Sequence, residues 1–174
     1  MKVLSSFIAV VALLAVIASP AAAQPTVRVG VFDSRAIAIA YAQSPAFGPE
    51  LQQLRAQFDQ AKADKNDKLV AELEAKGQTQ QTLLHLQGFS IGSVTEILAK
   101  FKDAVATVAR EAKVSAVVSQ YELVYQGPGI ETVDVTEALV RKINDSPRVL
   151  SMLGELKKNK PLSMIEALGM GGKD

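Results

Sequence analysis

The sequence predicts a helix-dominated α+β protein, in which a small three-stranded β body carries an inserted long helical hairpin and a C-terminal helix. Residues 27–32 alternate β-branched and other side chains, as a strand does. From residue 46 to residue 112 the apolar side chains instead recur at helical spacing. After Lys113 the apolar period shortens again, which predicts that the chain returns to the sheet.

Composition narrows the classes of function. The chain has 174 residues, of which 48% are hydrophobic, and this is typical of one globular domain. The absence of Cys and the single His exclude thiol catalysis and disulfides, and nearly exclude Cys/His metal sites. Without residues 1–23 the basic and acidic side chains balance, so bulk charge gives no drive towards nucleic acid.

The first 23 residues have the pattern of a signal peptide. Lys2 supplies a positive start, residues 7–18 are uniformly apolar, and Ala21 and Ala23 fit the small-x-small cleavage pattern. An apolar run of this length is shorter than the roughly 20 residues of a membrane-spanning helix. We therefore expect cleavage after Ala23 and export to the periplasm or the medium, with no membrane-spanning segment in the mature protein.

Residues 46–112 are expected to form the helical arm. Phe47, Leu51, Leu54 and Phe58 follow one helical stripe, and residues 64–67 contain no apolar side chain. The turn of the hairpin is therefore expected near Asn66, with Gly77 as the alternative. A second break is expected at residues 88–92, followed by an amphipathic helix from Val94 to Val108. With both breaks the arm would be about 30 Å long.

The second half of the body is expected to begin with two short strands, residues 114–119 and 122–126, joined as a hairpin. Residues 134–137 resemble a capping box, which predicts a helix over residues 135–144. The body thus comprises residues 24–45 and 113–150. Residues 151–174 are expected to be a weakly attached tail.

No catalytic constellation emerges from the sequence. His85 has no nucleophile signature near it, and a structural or surface role is the simpler interpretation. Asp64-x-Asn66 resembles the start of a calcium loop, but Leu69 and Ala75 stand where that loop needs Gly and Glu. No glycine-rich phosphate-binding loop occurs. We therefore expect no enzymatic activity, no cofactor and no metal.

The two ends of the body resemble the Skp/OmpH-like periplasmic chaperone family. The similarity lies in a signal peptide, the strand ending in VGVFDS, a helical insertion, and VSAVVSQYELVYQGPGIETVDVTEALVRKIN. Within that segment the matching features are residues 114–119, Leu123-Val124-Tyr125 and the Asp134-Val135-Thr136 turn before a closing helix. The resemblance covers about residues 26–145.

The resemblance implies a homotrimer whose β bodies associate while helical arms project and enclose unfolded or outer-membrane proteins. The implied function is that of a holdase-type chaperone. The alternative is a structural or partner-binding envelope protein that keeps the body and has lost the cavity, because the arms are short and the mature chain is neutral rather than basic. The apolar face expected to contact clients or partners consists of Leu51, Leu54, Phe58, Leu69, Leu73 and Phe89.

Overall fold

The computed structural model describes residues 26–170, so the expected signal peptide lies outside the described part. The α+β class is confirmed, with a small sheet among many helices. The elements are β1 (Val27–Phe32), α1 (Ser34–Ala42), α2 (Gly48–Ala63), α3 (Asp67–Gly88), α4 (Thr95–Lys100), α5 (Lys102–Glu111), β2 (Ala116–Ser119), β3 (Ile130–Asp134), α6 (Thr136–Ile143), α7 (Pro147–Lys158) and α8 (Met164–Met170).

The sheet is parallel throughout, in the order β2-β1-β3. The expected hairpin of residues 114–119 and 122–126 is therefore wrong: the first strand is present as β2, but residues 122–126 are not a strand and β3 follows later. Because β2 and β3 flank β1 in parallel, residues 120–129 must return from the carboxyl end of β2 to the amino end of β3. An aliphatic-aromatic run in such a crossover has the same local pattern as a strand.

The hydrophobic core lies between one face of the sheet and helices α1, α4, α5, α6 and α7. Its largest fully buried side chains are Ile37, Val108, Leu139, Val140 and Val149. Gly30, at the centre of β1, lies close to both flanking segments. A Cβ atom there would lie 3.2 Å from Val114 Cγ2 and 3.3 Å from Val135 Cγ2.

The arm is a hairpin of α2 and α3, and its turn is at residues 64–66. Lys65 has a positive φ of 51°, and the Asn66 side chain accepts a hydrogen bond from Leu69 N at 3.1 Å. Gly77 lies within α3, so the alternative turn position is wrong. With 22 residues, α3 is about 33 Å long, close to the expected arm length.

The second break is also confirmed, because α3 ends at Gly88 and α4 begins at Thr95. The amphipathic helix expected from Val94 to Val108 is interrupted: Phe101 ends α4 and precedes α5. The helix expected over residues 135–144 is confirmed as α6.

The tail begins later than residue 151. Helix α7 crosses that boundary, and its Leu153 is buried in the core with Val149. In addition, Arg35 donates hydrogen bonds to the carbonyl oxygens of Leu156 (3.2 Å) and Asn159 (2.9 Å). The expectation of weak attachment is therefore wrong for residues 151–159. Among residues 26–170, no helix combines the length and the apolar character that crossing a membrane requires.

Candidate functional site

The face of the sheet that points away from the core is partly open and is apolar over β1 and β2, whereas the β3 residues aligned with Val29 and Val31 are Thr132 and Asp134. Successive residues of a strand point to opposite faces, so Val29 and Val31 lie on the face opposite to Gly30. Their neighbours in the register are Ala116 and Val118 of β2. None of these four side chains belongs to the hydrophobic core. Parallel sheets are normally covered on both faces, so this face is a candidate interface, which we call the open sheet face.

The crossover between β2 and β3 exposes a second apolar feature. Residues 123–127 have no regular secondary structure, and Val124 and Tyr125 are 97% and 77% exposed. The segment is held at its end, where Gly129 O accepts a hydrogen bond from Val27 N at 3.0 Å. A single exposed apolar residue is ordinary, but two adjacent ones in a segment without regular secondary structure form a candidate contact surface.

The six arm residues predicted from the sequence do not form one free face. Leu73 is buried, while Leu51, Leu54, Phe58 and Phe89 are half-buried and Leu69 is 38% exposed. Leu54 faces α3, since a Cβ atom at Gly77 would lie 3.8 Å from its Cδ2. Phe58 is partly covered by Lys62, whose Nζ lies 4.4 Å from the ring centroid. Phe89 lines a groove between α1 and α3. Much of the predicted face therefore lies at contacts within the protomer.

A different apolar stripe, which is not among the six residues predicted above, is exposed on α3. It is a shallow groove lined by Ala75, Gln78, Thr79, Thr82, Leu83 and Leu86, which we call the α3 groove. Leu83 is 41% exposed. The signal was present in the run Leu83-Leu84-His85-Leu86: Leu84 and His85 line the groove beside α1, and Leu83 and Leu86 line the α3 groove.

His85 itself is exposed and lies beside Phe89, with the ring centroids 6.3 Å apart. Within residues 26–170 no group of three or more His, Asp or Glu side chains could hold a metal ion.

A polar network occupies the carboxyl end of the sheet. Asp33, directly after β1, caps α1 by accepting a hydrogen bond from Arg35 N at 2.9 Å. Its carboxylate also accepts hydrogen bonds from Arg35 Nε (3.0 Å to Oδ1) and Nη2 (2.6 Å to Oδ2) and from the Tyr121 hydroxyl (3.0 Å). Thr136, at the start of α6, accepts from Asp33 N at 3.0 Å. This network joins β1, the crossover and the start of α6.

Burial and hydrogen bonding raise the pKa values of two groups in the network. The hydrogen bond to Asp33 raises the pKa of Arg35. Burial raises the pKa of Tyr121, and the negative charge of Asp33 adds to that effect. The protons of Arg35 and Tyr121 are therefore held more firmly than in the free side chains. The geometry favours a structural role for the Asp33–Arg35 pair.

Comparison with known proteins yields no relative: no family model, no curated protein and no solved structure matches the chain.

Proposed function

We propose that the chain is an exported, holdase-type binding protein that keeps unfolded or outer-membrane proteins from aggregating. It assembles, as a homotrimer, through the open sheet face and the Val124-Tyr125 segment, and its helical hairpins project from the assembled bodies. The observation that carries this proposal is the open sheet face, because a partly exposed apolar face of a parallel sheet is a surface that a partner can cover.

Burial of the open sheet face would be favourable. Val29, Val31 and Val118 are half-buried in the protomer, and Val27 is 43% exposed. Each such side chain contributes up to about 1.5–3 kcal/mol when it passes from full exposure to burial.

The arm supplies a surface for a client. Only Ala61 of α2 and Leu73 and Gln87 of α3 are buried, so most of the hairpin is accessible. The α3 groove offers an apolar strip flanked by polar side chains, which suits transient contacts with unfolded chains of varied sequence. In the proposed assembly, the α3 groove has the client-binding role that was expected of the six predicted arm residues.

A second candidate function is a partner-binding envelope protein without chaperone activity. One observation favours it: Leu73 is buried and Leu54 faces Gly77, so the hairpin uses apolar residues of the expected client face in its own packing. The two candidates share the assembled body and differ in whether the arm holds unfolded protein.

Light scattering on the exported, purified chain at micromolar concentration tests assembly. We expect the mass of three protomers. Replacing both exposed residues, Val124→Lys with Tyr125→Lys, is expected to lower that mass while helicity by circular dichroism is retained, since neither side chain contributes to the core. Leu83→Lys is the matched control, because it places the same charge on an exposed apolar site of the arm and should leave the mass unchanged. A monomeric wild-type chain with full helicity contradicts the proposed assembly.

Suppression of aggregation of a urea-unfolded outer-membrane protein, diluted into buffer, tests the holdase activity. The wild-type chain is expected to lower the turbidity, and Leu83→Lys is expected to lower it less, because the charge disrupts the apolar strip. An assembled wild-type chain that leaves turbidity unaltered would favour the second candidate function.

Export is tested separately. Mass spectrometry of the protein from an envelope fraction is expected to find Gln24, or its cyclised form, at the N-terminus. Met1 on the mature protein contradicts export by cleavage.

A further inference from the structure

The cleft that contains the polar network has the position of a ligand site. It is about 490 Å³ in volume and lies at the carboxyl ends of the strands, where Asp33 follows β1 and Asp134 ends β3. Open parallel sheets bind ligands outside the carboxyl ends of their strands, which is where this cleft lies.

The charge of the cleft is more positive than that of the chain around it. Residues 26–170 carry equal numbers of basic and acidic side chains. The charged side chains lining the cleft, in contrast, are the bases Arg35, Lys157, Lys158 and Lys160 and the acids Asp33 and Asp134. The cleft therefore concentrates positive charge in a chain that is otherwise balanced.

The partners of these lysines leave them accessible to a ligand. Lys157 lies 3.7 Å from Asp134 and Lys158 lies 2.8 Å from Glu155, and all four side chains are more than half exposed. Exposed ion pairs of this kind contribute little to stability, so an anionic ligand can replace the carboxylate as the partner of the lysine. Lys160 has no ion-pair partner within the described part of the chain.

One wall of the cleft has a spare hydrogen-bond donor. The Thr136 hydroxyl accepts from Asp33 N, and it donates to no acceptor in residues 26–170. Thr136 is buried, with 4% of its surface exposed, and it lines the cleft. A hydroxyl carries one donor in addition to its acceptor sites, so an oxygen atom of a ligand can accept this hydrogen. Arg35 and Tyr121 form a fixed wall beside it, with the guanidinium carbon 5.5 Å from the ring centroid.

We propose that this cleft binds a small molecule bearing anionic oxygens, a carboxylate or a phosphate group. The oxygens accept a hydrogen bond from Thr136, and their charge is balanced by Lys160 and Lys157. Arg35 is not a main ligand contact in this arrangement, because four of its five N–H donors are already bonded to Asp33 and to the carbonyl oxygens of Leu156 and Asn159. The site is separate from the open sheet face and from the α3 groove, so it does not depend on the proposed function.

Titration of the full, exported chain with inorganic phosphate and with citrate, at constant ionic strength set by chloride, tests the site. Calorimetry is expected to give saturable binding, and the amide resonances of Thr136 and Lys160 are expected to shift with the same midpoint. A preference for citrate or for phosphate distinguishes the two sources of anionic oxygen. Lys160→Gln is expected to weaken binding about two- to five-fold.

Lys142→Gln is the matched control, since Lys142 is an exposed lysine near the end of α6 that lies away from the cleft. Thr136→Ser, which retains the hydroxyl, is expected to preserve binding better than Thr136→Val. The absence of saturable binding at tens of millimolar, or equal weakening by Lys160→Gln and Lys142→Gln in folded proteins, would overturn the proposal.

Discussion

Arg35 and Asp33 form a bidentate ion pair two residues apart, with Arg35 Nη2 2.6 Å from Asp33 Oδ2 and Nε 3.0 Å from Oδ1. The two side chains are only 7% and 11% exposed. Arg35 also donates to the carbonyl oxygens of Leu156, in the last turn of α7, and of Asn159, directly after it, and Asp33 also accepts from Tyr121. One pair thus ties the start of α1 to the end of α7 and to the crossover.

Removal of one partner of this pair is expected to destabilise the fold strongly. Arg35→Met leaves the Asp33 charge buried without its ion-pair partner and removes the hydrogen bonds from Arg35 to the carbonyl oxygens of Leu156 and Asn159, so we expect the free energy of unfolding to fall by about 3–5 kcal/mol. Arg35→Lys, which keeps the charge but not the two-point geometry, should lose less. Urea unfolding followed by circular dichroism measures both changes.

The control is the ion pair of Arg141 and Glu137 on α6, which are 52% and 56% exposed. Arg141→Ala is expected to change the free energy of unfolding by less than about 1 kcal/mol, because water already solvates both charges. Equal losses in Arg35→Met and Arg141→Ala would contradict the buried network.

Tyr121 is expected to ionise above its ordinary pKa of 10.0, because burial and the nearby Asp33 charge both disfavour the phenolate. The folded state then holds this proton more tightly than the unfolded state. Its stabilisation is present below pH 10 and is lost as the pH rises through the higher, folded-state value.

Ultraviolet absorbance of the phenolate during alkaline titration measures this shift. The difference between wild type and Tyr121→Phe gives the titration curve of Tyr121 alone. Asp33→Asn should move that curve to lower pH, because the neutral amide does not repel the phenolate. A Tyr121 curve centred at or below pH 10 would exclude the proposed environment.

Local patterns in the sequence predict most helices of this fold and the strand β1, but they do not determine how the strands pair. The break at residues 64–66 is readable because four consecutive polar residues cannot continue an apolar stripe. The assignment of residues 122–126 as a strand fails because Leu123-Val124-Tyr125 has the right composition, whereas strand pairing depends on distant residues. Tertiary contacts with β1 select Ile130–Asp134 instead.

For the candidate surfaces too, the sequence predicts the local elements but not the contacts between distant residues. The arm was predictable, but which of its faces is free depends on how α3 packs against α1 and α2, so Leu83 and Leu86 were missed. The polar cleft brings together Asp33, Tyr121, Thr136 and Lys160, which are far apart in the sequence. No local spacing signals such a site, and only the parallel order of the strands places these residues at one edge of the sheet.

Replacement of glycine by alanine is expected to lower the free energy of unfolding at Gly30 and to raise it at Gly154. Gly30→Ala places a Cβ atom 3.2 Å from Val114 Cγ2 and 3.4 Å from Ala116 O, so neighbours in the sheet must shift. We expect a loss of about 1–3 kcal/mol in the free energy of unfolding. Gly154→Ala, in α7, meets no atom within 4 Å and should gain about 0.5–1 kcal/mol, because alanine is the better helix former. Urea unfolding of the two variants measures both effects, and a Gly30→Ala variant as stable as wild type would contradict the close packing at β1.

Substitutions at two adjacent residues of β2 are expected to have different effects: one lowers the stability of the protomer, and the other lowers the assembled mass. Val117 is aligned with Gly30 and is half-buried against the core, so Val117→Asp places a carboxylate in an apolar contact and should cost about 1–3 kcal/mol of stability. Ala116 points to the opposite face and is exposed, so Ala116→Asp should leave the stability of the protomer nearly unchanged.

In the proposed assembly, however, Ala116→Asp places a carboxylate in the open sheet face of every protomer. We therefore expect this variant to remain helical and to have a lower mass by light scattering, whereas Val117→Asp should lose helicity at a lower urea concentration. Ala116→Ser, which adds a small polar group without a charge, is the control and should retain the assembled mass. If Ala116→Asp assembles as wild type does, the open sheet face is not the interface, and the protomers must meet through the crossover or the arm.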